Sequence, residues 1–146
     1  MTAQQSYPGG VAELIDRAAR RSREVFRDST LGPRETLEEL GEVWEECRYP
    51  GWDGYGALPV EQDTLRAAYS LIESLPFRFP RPSIGAEPDG QLTLEWRTSP
   101  HRVLSVSVDP DGYLHYAGLF GTNKRYGTLT YFSTVPPEVL QLVREL

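Results

Sequence analysis

The chain has 146 residues, 39% hydrophobic and 25% charged, which is ordinary for a single soluble globular domain and argues against wholesale disorder. Lys and Arg number 15 against 21 Asp and Glu. The resulting net charge of −6 argues against a general binder of duplex nucleic acid or of an anionic membrane, since both need a positive field. The single Cys47 excludes an intramolecular disulfide framework and a Cys-based zinc cage, and no run of about 18 apolar residues marks a transmembrane span. Residues 1–6 carry neither a basic nor an apolar stretch of a secretory signal, so the expected compartment is the cytoplasm.

The first helical pattern covers residues 10–28. Val11, Leu14, Ile15, Ala18, Val25 and Phe26 recur at spacings of three and four, while Arg17, Arg20, Arg21 and Arg27 fall mostly off that stripe. This helix stands somewhat apart, because Leu31-Gly32-Pro33 breaks it from the rest of the chain. The second pattern covers residues 34–47, with Leu37, Leu40, Trp44 and Cys47 on one stripe. Around that stripe stand Glu35, Glu38, Glu39, Glu42, Glu45 and Glu46, so residues 31–63 carry nine acids against two Arg. Such a run is either a solvated helix face or an acidic docking surface for a basic partner, with Glu39, Glu42 and Glu46 as its contact residues. The third pattern covers residues 60–75, where Leu65, Ala68, Tyr69, Ile72 and Leu75 line one face between Pro59 and Pro76.

After Pro76 the period changes. Residues 77–82 read as an extended, Pro-punctuated connector. Leu92, Leu94 and Trp96 alternate with Thr93, Glu95 and Arg97, and Leu104, Val106 and Val108 alternate with Val103, Ser105 and Ser107. That period of two marks half-buried antiparallel strands. Asp89-Gly90 and Asp111-Gly112 are hairpin-turn dipeptides. A short edge strand at 83–87 and two aromatic-rich strands at 113–120 and 126–132 complete the run. A last helix at 136–146 comes after Thr134, its expected cap. Helices, then strands, then a helix predict an α+β fold, an antiparallel meander of four to five strands with helices packed on one face.

The segment joining the second and third helices is Gly51-Trp52-Asp53-Gly54-Tyr55-Gly56-Ala57-Leu58-Pro59. Two aromatic rings there are costly to leave in water, so each is expected to pack on the body of the protein or on a partner. Asp53 is placed to accept hydrogen bonds from backbone N–H groups of its own loop. The loop reads as an ordered turn pinning two helices, or as a ligand or partner contact made by Trp52, Asp53 and Tyr55. In these residues the chain resembles a group of small bacterial proteins without an assigned activity. They carry a Trp-Asp-Gly-x-Gly-Ala-x-Pro segment, then a helix, a hairpin turn and a strand ending Leu-x-Trp, here Leu94-Glu95-Trp96. The resemblance covers about residues 40–110 in motif order. It implies a bacterial origin and no particular chemistry.

Other constellations are weaker. Residues 118–125 resemble a phosphate loop but lack the Gly before Lys124 and the Ser or Thr after it, and read instead as a hairpin loop with two basic residues. Asp109-Pro110-Asp111-Gly112 fails as a calcium loop because Phe120 stands where a bidentate Glu is required. His101 and His115 have no partner at metal-ligand spacing, so no metal and no cofactor is implied. The open sheet face would gather Thr93, Glu95, Ser105, Ser107, Tyr113, His115, Thr128 and Thr130. His115, Ser105 and Glu95 there are the residues a small hydrolase would use. Cys47, on an apolar stripe beside Trp44, reads as a buried inert thiol. With no coherent catalytic, metal or nucleotide set, the reading leans away from an enzyme. It favours a protein that acts by binding another protein; ligand binding by the loop and hydrolysis on the open face are the alternatives.

Overall fold

Periodicity decides the architecture, and a computed structural model, described over residues 33–131 and 133–146, shows how. The helical pattern at 10–28 lies outside the described residues. Helix α1 runs Pro33–Cys47 and α2 runs Gln62–Glu73. Five strands come next, β1 Ser83–Ala86, β2 Leu92–Ser99, β3 Arg102–Val108, β4 Tyr113–Phe120 and β5 Asn123–Thr130, and then α3, Pro137–Arg144. The sheet is antiparallel throughout, with spatial order equal to chain order, β1-β2-β3-β4-β5. Consecutive strands pair because the connections are too short for any crossover.

Strict alternation sets the register. Leu92 stands opposite Val108, Leu94 opposite Val106 and Trp96 opposite Leu104, while Val108 also faces Leu114. All of these are buried on one face. They form one core with Leu37, Leu40 and Trp44 of α1, Leu65, Ala68, Leu71 and Ile72 of α2, and Val139, Leu142 and Val143 of α3. Among the described residues, three helices cover one face and nothing covers the other. The Asp89-Gly90 and Asp111-Gly112 turns stand where the sequence placed them, with both glycines at positive φ.

Three local expectations change. Lys124 and Arg125 are not in a hairpin loop but on β5, because the turn needs only Gly121 and Thr122 and Phe120 pairs directly with Asn123. Thr134 does not cap the last helix. Pro136 occupies the cap position and Pro137 the first turn, where a missing N–H leaves nothing to satisfy. The connector after Pro76 is not extended from its start. Arg78 adopts φ 61° and Phe79 N–H donates to Pro76 O at 3.0 Å, closing a turn that delivers Pro80 O to the Trp96 indole N–H at 2.8 Å.

Candidate functional site

The loop between α1 and α2 is held from several directions. Gly51, Gly54 and Gly56 all take positive φ (72°, 80° and 85°), which a side chain rarely tolerates. That curvature lets Gly51 N–H donate to Ala57 O at 2.7 Å and Gly54 N–H to Gly51 O at 2.9 Å. Asp53 Oδ1 sits inside the bend and accepts from Tyr55 N–H at 2.8 Å and Ala57 N–H at 3.0 Å. The Trp52 indole N–H donates to Leu58 O at 2.9 Å, and its ring is half-buried against the core. Outside the loop, Val60 N–H donates to Cys47 O at 2.9 Å and Leu58 N–H to Pro88 O at 2.8 Å. The loop thus ties the end of α1 to the β1–β2 hairpin.

Tyr55 does not follow Trp52 inward. It is 93% exposed, at the tip of this braced loop, and neighbouring Tyr49 and Leu58 are also exposed. Arg48 stacks on the Trp44 ring (4.4 Å) and on the Tyr49 ring (5.2 Å), which orients Tyr49. Trp52 and Asp53 are therefore occupied within the fold, and Tyr55 alone of the three faces solvent.

The acidic run divides in the same way. Glu39 has both carboxylate oxygens engaged, Oε2 by Ile84 N–H at 2.6 Å and Oε1 by Arg81 at 3.0 Å, and Arg81 also reaches Glu35 at 2.6 Å. These bonds fasten α1 to β1 and the chain entering it. Glu42 and Glu46 are exposed, one turn apart on α1. Glu45 lies 3.9 Å from Arg48. Cys47 is a buried free thiol, and burial, reinforced by the charge of Glu46, pushes its pKa up, away from nucleophilic use.

The open face holds a row of directly opposed residues across all five strands: Gly85, Thr93, Ser107, His115 and Thr128. Glu87 accepts hydrogen bonds from the hydroxyls of Thr93 and Ser107. Asp109 Oδ2 lies 2.9 Å from His115 Nε2, and His115 Nδ1 lies 3.0 Å from Thr128 Oγ1. An ionised carboxylate only accepts, so Nε2 carries a proton and donates to Asp109; in the neutral ring Nδ1 is then the acceptor of the Thr128 hydroxyl. Burial acts most strongly on Asp109 and raises its pKa. The bonds from His115, Tyr113 N–H and Asp111 N–H together outweigh it, so the carboxyl sits below its ordinary value.

Of the hydrolase residues expected from sequence, Ser105 and Glu95 come together, but His115 does not join them. Ser105 stands opposite Ala117, two residues along from His115, and its hydroxyl donates to Glu95 at 3.3 Å. His115 is engaged by Asp109 and Thr128 instead. The sequence singles out Asp109 only as part of a calcium-like run that fails; the signal for its role here is the spacing of six to His115 across a tight hairpin. Glu87 had no local signal, because its partners lie on β2 and β3. Among the described residues no group of three or more His, Cys, Asp or Glu has the arrangement of a metal site, and no helix is long and apolar enough to cross a membrane. Comparison with known protein families, with curated proteins and with solved structures returns no match.

Proposed function

We propose that the chain is a binding module for another protein, and that the braced loop is its contact point. The observation that carries this reading is Tyr55, 93% exposed on a loop held by hydrogen bonds at both ends. A flexible loop would lose entropy on binding, whereas this one presents its ring already ordered, so burial of the ring converts into affinity. Tyr is also a preferred anchor at interfaces, with a large apolar ring and a polar tip. Tyr49 and Leu58 extend the apolar surface, and Glu42 and Glu46 add negative charge that favours a partner with basic residues near its contact patch. Trp52 and Asp53 support the site from within, and Glu39 supports it by fixing α1. The resemblance of the loop to small bacterial proteins favours a bacterial cytoplasm as the setting.

The test is capture from a bacterial lysate by the immobilised chain and by Tyr55→Ser, with thermal melts of both. Loss of an anchor worth about 2 kcal/mol corresponds to roughly thirtyfold weaker capture. We expect that loss for Tyr55→Ser with an unchanged melting temperature. Equal capture by Tyr55→Ser and by a Tyr49→Ser, Tyr55→Ser double variant would overturn the reading.

A second reading has one observation in its favour, the Asp109–His115–Thr128 chain, whose connectivity is that of an activated hydroxyl. It lies on an open face with His115 41% exposed, where water competes for every bond. An ester-hydrolysis rate lost in both Asp109→Asn and Thr128→Val, with the fold intact, would move it ahead.

A further inference from the structure

We propose that β5 is a pairing edge, and that its occupant is the β5 of a second copy of this chain. The sheet has two edges of different character. β1 is four residues long and lies under α1, fastened there by Glu39. β5 is eight residues long, pairs with β4 without a register break, and has Tyr126 82% exposed. Antiparallel pairing bonds alternate residues to the neighbouring strand. Tyr131 N–H donates to Gly112 O at 2.9 Å, which sets the phase. Asn123, Arg125, Gly127 and Leu129 occupy the bonded positions against β4. The N–H and C=O groups of Lys124, Tyr126, Thr128 and Thr130 therefore point away from the sheet. None of these outward groups is bonded among the described residues.

Exposed edges of this length are ordinarily blunted by charge, Pro or a bulge. Here both basic residues sit in the first three positions of the strand, and residues 126–130 contain no charge and no Pro. Arg125 is turned to the helix-covered face, where it pairs with Glu145 at 2.5 Å. A second copy fits this arrangement. In a two-fold antiparallel seam centred on Gly127, Lys124 stands opposite Thr130 of the other copy and Arg125 opposite Leu129. No like charges are opposed, and the two Lys124 side chains lie at opposite ends. Tyr126 stands opposite Thr128, an aromatic against a β-branched residue, which is a favourable cross-strand pair. All four outward residues of each copy fall in hydrogen-bonded positions, and two five-stranded sheets become one continuous sheet. A seam of this kind falls among the smaller interfaces, roughly 1,200 Å² or less, so the association is weak and concentration-dependent.

Sedimentation of the full chain over a concentration series, with amide hydrogen exchange at each end of the series, tests this. We expect the mean mass to rise from 16.5 kDa toward twice that value. Over the same range the amides of Lys124, Tyr126, Thr128 and Thr130 should slow at least about tenfold, while those of Arg125, Gly127 and Leu129 are slow throughout. Thr128→Pro removes one outward N–H at an edge position preceded by a glycine, and should hold the chain at monomer mass. Monomer mass at every concentration overturns the proposal. So does a doubled mass with the four amides still fast, which places the interface elsewhere, or slow exchange of all four in the dilute monomer, which means the chain covers its own edge. The exchange pattern needs no variant, so a misfolded Thr128→Pro does not rescue or remove the conclusion.

Discussion

Asp53 illustrates how a single side chain holds a surface in shape. Its Oδ1 accepts two backbone N–H groups, at 2.8 and 3.0 Å, in a bend that three positive-φ glycines make possible. Removing that acceptor in Asp53→Ala should cost about 1–2 kcal/mol, as lost capping interactions do, while Asp53→Asn keeps an acceptor oxygen and most of the stability. Urea unfolding of the two variants measures the difference. Trp52 and Tyr55, three residues apart, have opposite fates. Trp52→Ala strips a half-buried ring and an indole bond and should lower the melting temperature by several degrees. Tyr55→Ala should leave it unchanged. Asp109 adds a pH-dependent contribution. Its folded-state pKa lies below the ordinary 3.8, so the stability it supplies is fully present above that value and is lost as the pH falls through the folded-state value. Wild type should therefore exceed Asp109→Ala in urea midpoint at neutral pH, and the gap should narrow at strongly acid pH.

At the scale of elements, α1 is fastened by charge as well as by its apolar stripe. Glu39→Ala would leave the Ile84 N–H without its partner and Arg81 with Glu35 alone, at a cost of about 1–3 kcal/mol in denaturant unfolding. Glu42→Gln and Glu46→Gln, both at exposed sites, should stay within about 0.5 kcal/mol of wild type. The six glutamates look alike in sequence. What separates them is contact with Arg81 and Ile84, more than 40 residues away, which no local pattern encodes. The strands were legible because burial on one face imposes a period of two, and Leu92, Leu94, Trp96, Leu104 and Val106 keep it strictly. β5 was harder to place. Its helix-covered side carries Arg125, Gly127 and Leu129, so only Leu129 marks it as apolar, and the Tyr116 ring of β4 lies over the glycine. A Cβ there would stand 2.7 Å from the Tyr116 hydroxyl and 2.9 Å from its ring. Gly127→Ala should displace the ring and destabilise the fold by about 1–3 kcal/mol, again read by denaturant unfolding. The candidate site was legible as a loop with Asp53 as its brace. Which aromatic turns inward is tied to the β1–β2 hairpin, because the Trp52 indole bonds to Leu58 O while Leu58 N–H bonds to Pro88 O.

For the whole molecule, the net charge of −6 matters less than its arrangement. Excess acid is concentrated on and just after α1, and many of the arginines that face solvent are paired. Arg34 lies near Glu38, Arg48 near Glu45 and Arg66 near Asp63. Arg81 bridges Glu35 and Glu39, Arg97 meets Glu95 and Arg125 meets Glu145. Arg102 donates to the backbone carbonyl of Glu145. Surface pairs of this kind add little stability, but they neutralise the field each guanidinium would project. Outside the described residues, Arg17, Arg20, Arg21, Arg23 and Arg27 are interleaved in sequence with Glu13, Asp16, Glu24 and Asp28. Affinity for duplex DNA comes chiefly from cations that displace counterions along the phosphates, and each contact must be made by a charge not already neutralised. The chain should therefore show no saturable binding to duplex DNA in a fluorescence-anisotropy titration at physiological salt. Tight binding that weakens steeply as salt is raised would show that the arginines at 17–27 act as a separate basic arm. Replacing those five with Gln would then abolish it, while Arg81→Gln, whose charge is held between two glutamates, would leave it unchanged.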